Sequence, residues 1–273
     1  MNIVVCVKQV PDTTEVRIDP ETNTLDRSNA PAITNPYDSH AVEEAVRIRD
    51  QYGGKVTVVS MGPPGAAEVI KECIALGADE GYLLSDRAFA GSDTLATSYI
   101  LAQGIKKICR DEPVDLIFCG KQAIDGDTAQ VGPGIAGRLN IPQLTYVDKV
   151  VALDPDKGEV TVRRRMDEGY EIIMSKMPCL ITVEKEINQL RYSPLPYMLR
   201  AARYQAGVLQ AADLDVEPSM MGLKGSPTAV VKIFSPSRRN QGVILKGDDH
   251  SMASQLLDML TKKMSELTDE EGR

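Results

Sequence analysis

The chain has 273 residues, 42% of them hydrophobic, and a formal net charge of −8, enough for one large domain, or one domain with an appendage, that closes a core without disulfides or metal. The acidic balance, the lack of a long basic run, and an aromatic content of 4% with no Trp exclude a nucleic-acid binder, whose affinity rests on a basic stripe and on stacking surfaces. No apolar run approaches the ~20 residues that cross a bilayer, and the opening MNIVVCVKQVPD reads as a buried strand lacking the marks of a signal peptide, so the expected location is cytoplasmic.

Residues 2–8 form a continuous apolar run, as expected of a strand covered on both faces by helices. Asn35 is placed to cap a helix over 36–52, with Pro36 at the favoured first position and Gly53-Gly54 at its end. Its apolar stripe is Ala41, Val42, Ala45 and Val46. A strand over 56–61, a Gly62-Pro63-Pro64 turn and a helix near 67–76 follow, then a short strand over 81–84 and a long helix over 93–109. The strand predicted over 114–119 turns at Gly120 into a loop and a helix near 128–139. This alternation predicts an α/β fold: a mostly parallel, Rossmann-like sheet with helices on both faces.

From 146 to 183 the pattern becomes β-branched and alternating, broken at 154–158 and 167–169, which predicts added antiparallel strands. Arg163, Arg164 and Arg165 read as a solvated strand face rather than a ligand site. Beyond about Arg203 the chain is turn-rich, with Pro218, Pro227 and Pro236, until an amphipathic helix near 251–265. The expected division is an α/β domain over 1–205 and a C-terminal arm over 206–273. The arm either gains order on another chain or packs back on its own domain.

The five cysteines show no ligand spacing for zinc or iron–sulfur and read as buried small hydrophobes. His40 and His250 lack the partners of a catalytic triad, and His40 is expected to be exposed. Ligands of such sheets bind beyond the carboxyl ends of the strands, where three loops carry unusual chemistry: 8–12, 60–64 and 120–130. The last, GKQAIDGDTAQ, follows a buried strand and opens a helix. Glycine and helix-start N–H groups there suit a phosphate, and an ordinary Asp/Thr-capped turn fits the same residues. It matches neither a Walker loop nor G-x-G-x-x-G.

Segment 120–133 resembles the adenine-nucleotide loop of electron-transfer flavoprotein β (small) subunits. The run from Val162 through Arg164, Asp167-Glu168-Gly169, Glu171, Ile173 and Pro178 to Thr182 is similar to that family's signature. VVCVKQVPD near the start, NPYD at 35–38 and SMGPP at 60–64 match in order and spacing. The resemblance covers about residues 1–205.

It implies a nucleotide, AMP or FAD, held by four groups of residues. The first is Val7, Lys8, Gln9, Val10 and Pro11, and the second is Asn35, Tyr37 and Asp38. Ser60, Met61 and Gly62 form the third. The fourth is Cys119, Gly120, Lys121, Gln122, Asp125, Gly126, Asp127, Thr128, Gln130 and Val131. The resemblance further implies an α subunit carrying a second flavin on a mobile domain. A recognition loop over 191–198, with Tyr192, Leu195, Pro196 and Met198, would meet an acyl-CoA dehydrogenase-type or related flavin dehydrogenase. The variants at 125–133 and 61–63 are similar to the bifurcating type, in which FAD on this subunit accepts hydride from NADH and ferredoxin or flavodoxin is a possible low-potential acceptor. Such a chain is an electron-transfer subunit, not an independent enzyme. The alternatives are a non-bifurcating carrier with structural AMP and a stand-alone adenine-nucleotide sensor.

Overall fold

The computed structural model describes residues 1–12, 17–18, 25–26, 32–228, 230–231 and 242–271; Pro236 lies outside them. In chain order the first elements are β1 (Asn2–Val7), β2 (Gln9–Pro11), β3 (Arg17–Ile18), β4 (Leu25–Asp26), β5 (Ala32–Thr34), α1 (Pro36–Tyr52) and β6 (Lys55–Met61). Next come α2 (Ala67–Leu76), β7 (Glu80–Leu84), α3 (Thr94–Ile108), β8 (Leu116–Gly120) and α4 (Val131–Leu139). The chain continues through β9 (Gln143–Asp154), β10 (Glu159–Met166), β11 (Gly169–Lys176) and β12 (Cys179–Val183) to α5 (Leu195–Arg203), β13 (Gly207–Leu209) and α6 (Asp249–Glu271).

Nine strands form one sheet in the order β11-β10-β9-β12-β8-β1-β6-β7-β13. From β9 to β13 every neighbouring pair is parallel, and β9, β10 and β11 are joined antiparallel. The α/β reading therefore holds, and so do the added antiparallel strands, with one correction. Residues 179–183, expected to belong to the antiparallel group, lie parallel between β8 and β9. All five residues of β12 are buried, the apolar run that a strand covered on both faces requires.

Alternation along β1 sends its side chains to two separate cores. Ile3, Val5 and Val7 pack with Val42, Val46, Ile70 and Ile74 of α1 and α2. Val4 and Cys6 pack with Ile100, Leu101 and Ile105 of α3 and Ile135 of α4. Each large aliphatic side chain fully removed from water contributes roughly 1.5–3 kcal/mol, so this double burial makes β1 the spine of the sheet. Helix α3 is capped by Asp93, whose Oδ1 accepts from the Leu95 and Ala96 N–H groups at 2.9 and 3.0 Å. Helices α3 and α4 approach closely because Gly134 faces Ser98; an added Cβ would stand 2.7 Å from its Oγ.

The chain divides into two compact units, Met1–Ile233 and Phe234–Arg273. The boundary expected at 205 thus falls inside the first unit. β13 pairs in parallel with β7, and Leu214 and Met221 join the core on the α3 and α4 side. Ser226 Oγ accepts from the Asp93 N–H at 2.8 Å, and Ser92 Oγ accepts from the Gly222 N–H at 3.1 Å. Residues 206–228 therefore pack on their own domain. In the second unit α6 is longer than predicted, and Leu256, Leu257, Leu260 and Met264 form an exposed apolar stripe along it. Among the described residues no helix is long and apolar enough to cross a membrane.

Candidate functional site

The ends of β1 and β8 diverge into a cavity of about 370 Å³, within the size range of small-ligand pockets. Its floor carries Cys6, Cys119 and Leu101. Cys6 and Cys119 are register partners on adjacent strands. The Cys119 thiol is pushed well above its usual range by its hydrogen bond with Cys6 and by burial. Cys119 is a protonated packing group in this state.

Of the residues singled out from sequence, Val7, Lys8, Asn35, Asp38, Met61 and Cys119 line this cavity. So do Gly120, Lys121, Gln122, Gly126, Thr128, Gln130 and Val131. The others stand elsewhere. Gln9, Val10 and Pro11, expected in a loop, form β2, which pairs with β5, and Gln9 Nε2 donates to Gly65 O. Ser60 is fully buried with no partner for its Oγ among the described residues. It follows the alternation of Val56 and Val58 toward α1 and α2, the face opposite Met61. The Gly62 N–H donates to Leu84 O. Asp127 Oδ1 accepts from Gln122 Nε2 at 2.7 Å, while Asp125 takes Lys8 Nζ at 2.7 Å to each carboxylate oxygen.

One wall was not legible as part of the site. Ser92, Asp93, Thr94 and Thr97, at the start of α3, also line the cavity, and Thr94 Oγ1 donates to Gln130 Oε1 at 2.8 Å. Their Ser-Asp-Thr run signals a helix cap and nothing more. Only its convergence with the start of α4 brings two positive helix ends to one space.

The helix expected from 128 starts at Val131, because Asp127 and Ala129 adopt left-handed backbone at φ 49° and 53°, outside the helical region. Among the described residues, the N–H groups of residues 128–132 have no acceptor. Gly126 also borders the cavity, and an added Cβ there would meet no atom within 4 Å. These residues fit a phosphate-bearing group: five free donors in a row, with the Lys8 ammonium and Thr128 on the rim.

Helix α1 holds the two cavity loops together. Asn35 sits at its N-cap position without capping it. Instead its Nδ2 donates to Gln122 O at 2.9 Å and its Oδ1 accepts from the Ile124 N–H at 3.2 Å. One turn on, Asp38 Oδ2 accepts from the Lys8 N–H at 2.8 Å and Oδ1 from the Gly120 N–H at 3.1 Å. Burial raises the Asp38 carboxyl to about 7, against the pull of those donors.

Tyr37 lies in a second cleft of about 650 Å³ with Lys121, Tyr146, Arg164, Arg165 and Lys185. Lys185 Nζ is 4.6 Å from the Tyr37 ring centre, and Lys121 Nζ is 2.9 Å from Glu184 and 5.0 Å from the Tyr146 ring centre. The solvated-face reading of the arginines is corrected for Arg164, whose side chain is 24% exposed and whose Nε has no partner among the described residues. Register shifts in β10 and β12 opposite β9 turn it inward. Arg163 is paired to Asp148 at 2.8 Å.

The 191–198 segment is only partly a loop. Pro194 caps α5, and Leu195 and Pro196 lie in its first turn. Tyr192, Leu195, Met198 and Leu199 are exposed, the last three one helical face. Arg191 fixes their base, with Nε 2.9 Å from the buried Glu43 and Nη1 3.0 Å from Asp50. His40, expected to be exposed, is half-buried, its Nδ1 2.8 Å from Asn188 Oδ1.

A mostly parallel sheet, covered on both faces and hollowed beyond the carboxyl ends of its strands, defines an α/β ligand-binding protein. The sequence pattern of the electron transfer flavoprotein domain matches residues 22–216. The chain is 50% identical over 264 residues to an electron transfer flavoprotein subunit beta of Thermoanaerobacterium thermosaccharolyticum, spanning 96% of this chain and 99% of that one. It is 50% identical over 245 residues to the protein of that name from Clostridium acetobutylicum, spanning 90% and 92%. It is also 53% identical over 243 residues to Protein FixA of Azotobacter vinelandii, spanning 88% and 86%. The chain belongs to the electron transfer flavoprotein family, and its role is electron transfer.

Proposed function

We propose that this chain is the β subunit of a two-subunit electron carrier and holds FAD in the cavity between β1 and β8. The row of acceptor-free N–H groups at residues 128–132, beside the starts of α3 and α4, carries this reading. A pyrophosphate needs several donors at close approach, and Gly126 adds no side chain at the rim. Lys8 and Thr128 supply further donors. The bound flavin would supply the redox chemistry, taking electrons from NADH in the bifurcating manner. The protein's own groups bind and orient it.

In this reading an α subunit carries the second flavin and covers surface that this chain leaves bare. The exposed apolar group Tyr192, Leu195, Pro196 and Met198 docks a flavin dehydrogenase of the acyl-CoA type, with ferredoxin or flavodoxin as the low-potential acceptor, in the cytoplasm. The test is a count of released nucleotides from the purified two-chain complex. Two FAD per complex is the expected result. One FAD with one AMP would leave a plain carrier in which this cavity holds a structural nucleotide.

A further inference from the structure

Asp38 is a buried carboxylate in the cavity lining, and among the described residues no cation is ion-paired with it. The Lys8 ammonium goes to Asp125 and the Lys121 ammonium to Glu184. The Asp38 carboxylate instead spends each oxygen on a different main-chain N–H, that of Lys8 after β1 and that of Gly120 at the end of β8. The chain is shaped around this contact: an added Cβ on Gly120 would fall 2.3 Å from Asp38 Oδ1.

We propose that Asp38 is a positioning residue that pins both cavity loops, and that it does so only while ionised. A carboxylate accepts at both oxygens, whereas a protonated carboxyl, like an amide, turns a hydrogen toward one of the two donors. One loop then loses its tie to Asp38, and a buried N–H is left without its acceptor.

The groups that face Asp38 set where this happens. From the turn after β1 comes the Lys8 ammonium, already engaged by Asp125. Cys119 of β8 and Cys73 of α2 are both buried and carry raised pKa values. Asn35, on its own helix, is neutral. Burial therefore outweighs every stabilising contact, and the carboxyl titrates near neutral pH instead of near 4. Between about pH 8 and pH 6 the cavity passes from two loops tied by Asp38 to one, the other being held only by its remaining contacts.

This device rests on the reading that the cavity is the ligand site, and its test is independent of ligand. Amide hydrogen exchange is followed on the full chain from pH 6 to 8.5, corrected for intrinsic rates, in peptides covering Lys8 and Gly120. Protection in at least one of them is expected to fall about tenfold toward pH 6, as the ionised fraction falls. In Asp38→Asn that peptide should be unprotected at every pH, with a flat profile. A flat wild-type profile overturns the proposal, and that arm needs no variant to fold. Adding FAD or AMP at pH 8 tests the underlying reading separately. If neither ligand adds protection, the nucleotide reading fails, while the pH profile still decides the role of Asp38.

Discussion

Lys8 and Asp125 join the loops that follow β1 and β8 through a two-pronged contact, with Nζ 2.7 Å from both carboxylate oxygens. The side chains are 49% and 31% exposed, so the pair contributes about 0.2–1 kcal/mol at most. A phosphate entering the cavity can outcompete it. Lys8→Met should therefore weaken binding of AMP or FAD. Asp125→Asn should tighten it by up to about fivefold, the equivalent of that energy. Calorimetric titration of both variants checks the opposite signs; weakening in both would mean that Asp125 touches the ligand.

Gly126→Asp should leave the fold intact, because nothing stands within 4 Å of the added Cβ. The new carboxylate faces the donors at 128–132 and repels phosphate. Melting should move by no more than the equivalent of about 0.5 kcal/mol; on the proposed reading, nucleotide content and NADH oxidation should fall together while the flavin of an α subunit is spared. Thermal denaturation and a nucleotide count separate the two effects.

Leu195 is 66% exposed, so its removal costs the isolated fold little. If it is buried against a dehydrogenase, Leu195→Ala should lose roughly 1.5–3 kcal/mol, about tenfold to a hundredfold in affinity. Nucleotide content should stay unchanged. Half-saturation in a titration with the dehydrogenase measures this, and an unchanged value removes Leu195 from the docking surface.

Asp38 also predicts a pH dependence of stability. Its folded pKa, about 7, lies above the 3.8 of an ordinary aspartate, so between these values the folded chain binds more protons than the unfolded one. Its contribution is favourable at low pH and is lost as pH rises, by about 4 kcal/mol across the window. Denaturant titrations at pH 4.5 and 7.5 should therefore show a steeper loss in wild type than in Asp38→Asn. Equal slopes would place the group in water.

Leu256, Leu257 and Leu260 of α6 are exposed apolar side chains. The chain expressed alone is expected to self-associate and to lack acceptor reduction at the rate of the two-chain complex. Sedimentation and an acceptor assay decide this; a monodisperse, fully active lone chain would contradict it.

The sheet was largely legible in sequence because its strands are apolar runs and its helices carry caps and stripes. Asn35 was read correctly in position but not in use, since a cap residue and a loop clamp look alike in a sequence. β13 was missed because three residues, Gly-Val-Leu, pair through backbone groups that composition does not record. The prolines and polar residues around them suggested an arm. The cavity was legible on its glycine-rich side, where Gly126 and Thr128 break the strand–helix pattern. It was not legible at Ser92–Thr94, where the signal is the same as at any helix start. Ser60 was placed beside Met61 by motif, yet alternation sends the two to opposite faces.

The position of β1 bears on how the chain is made. Strand β1 lies inside the finished sheet, pairing with β6 on one side and with β8, more than a hundred residues later in the chain, on the other. Its second edge stays open until residue 120 has been synthesised, a delay of roughly 6–24 s at ordinary translation rates. For that time Ile3, Val4 and Val5 are bare in a nascent chain with no local partner for both faces. The arrangement that later shields the cavity floor leaves β1 aggregation-prone while β8 is still being made, and makes capture by a chaperone most useful at that strand.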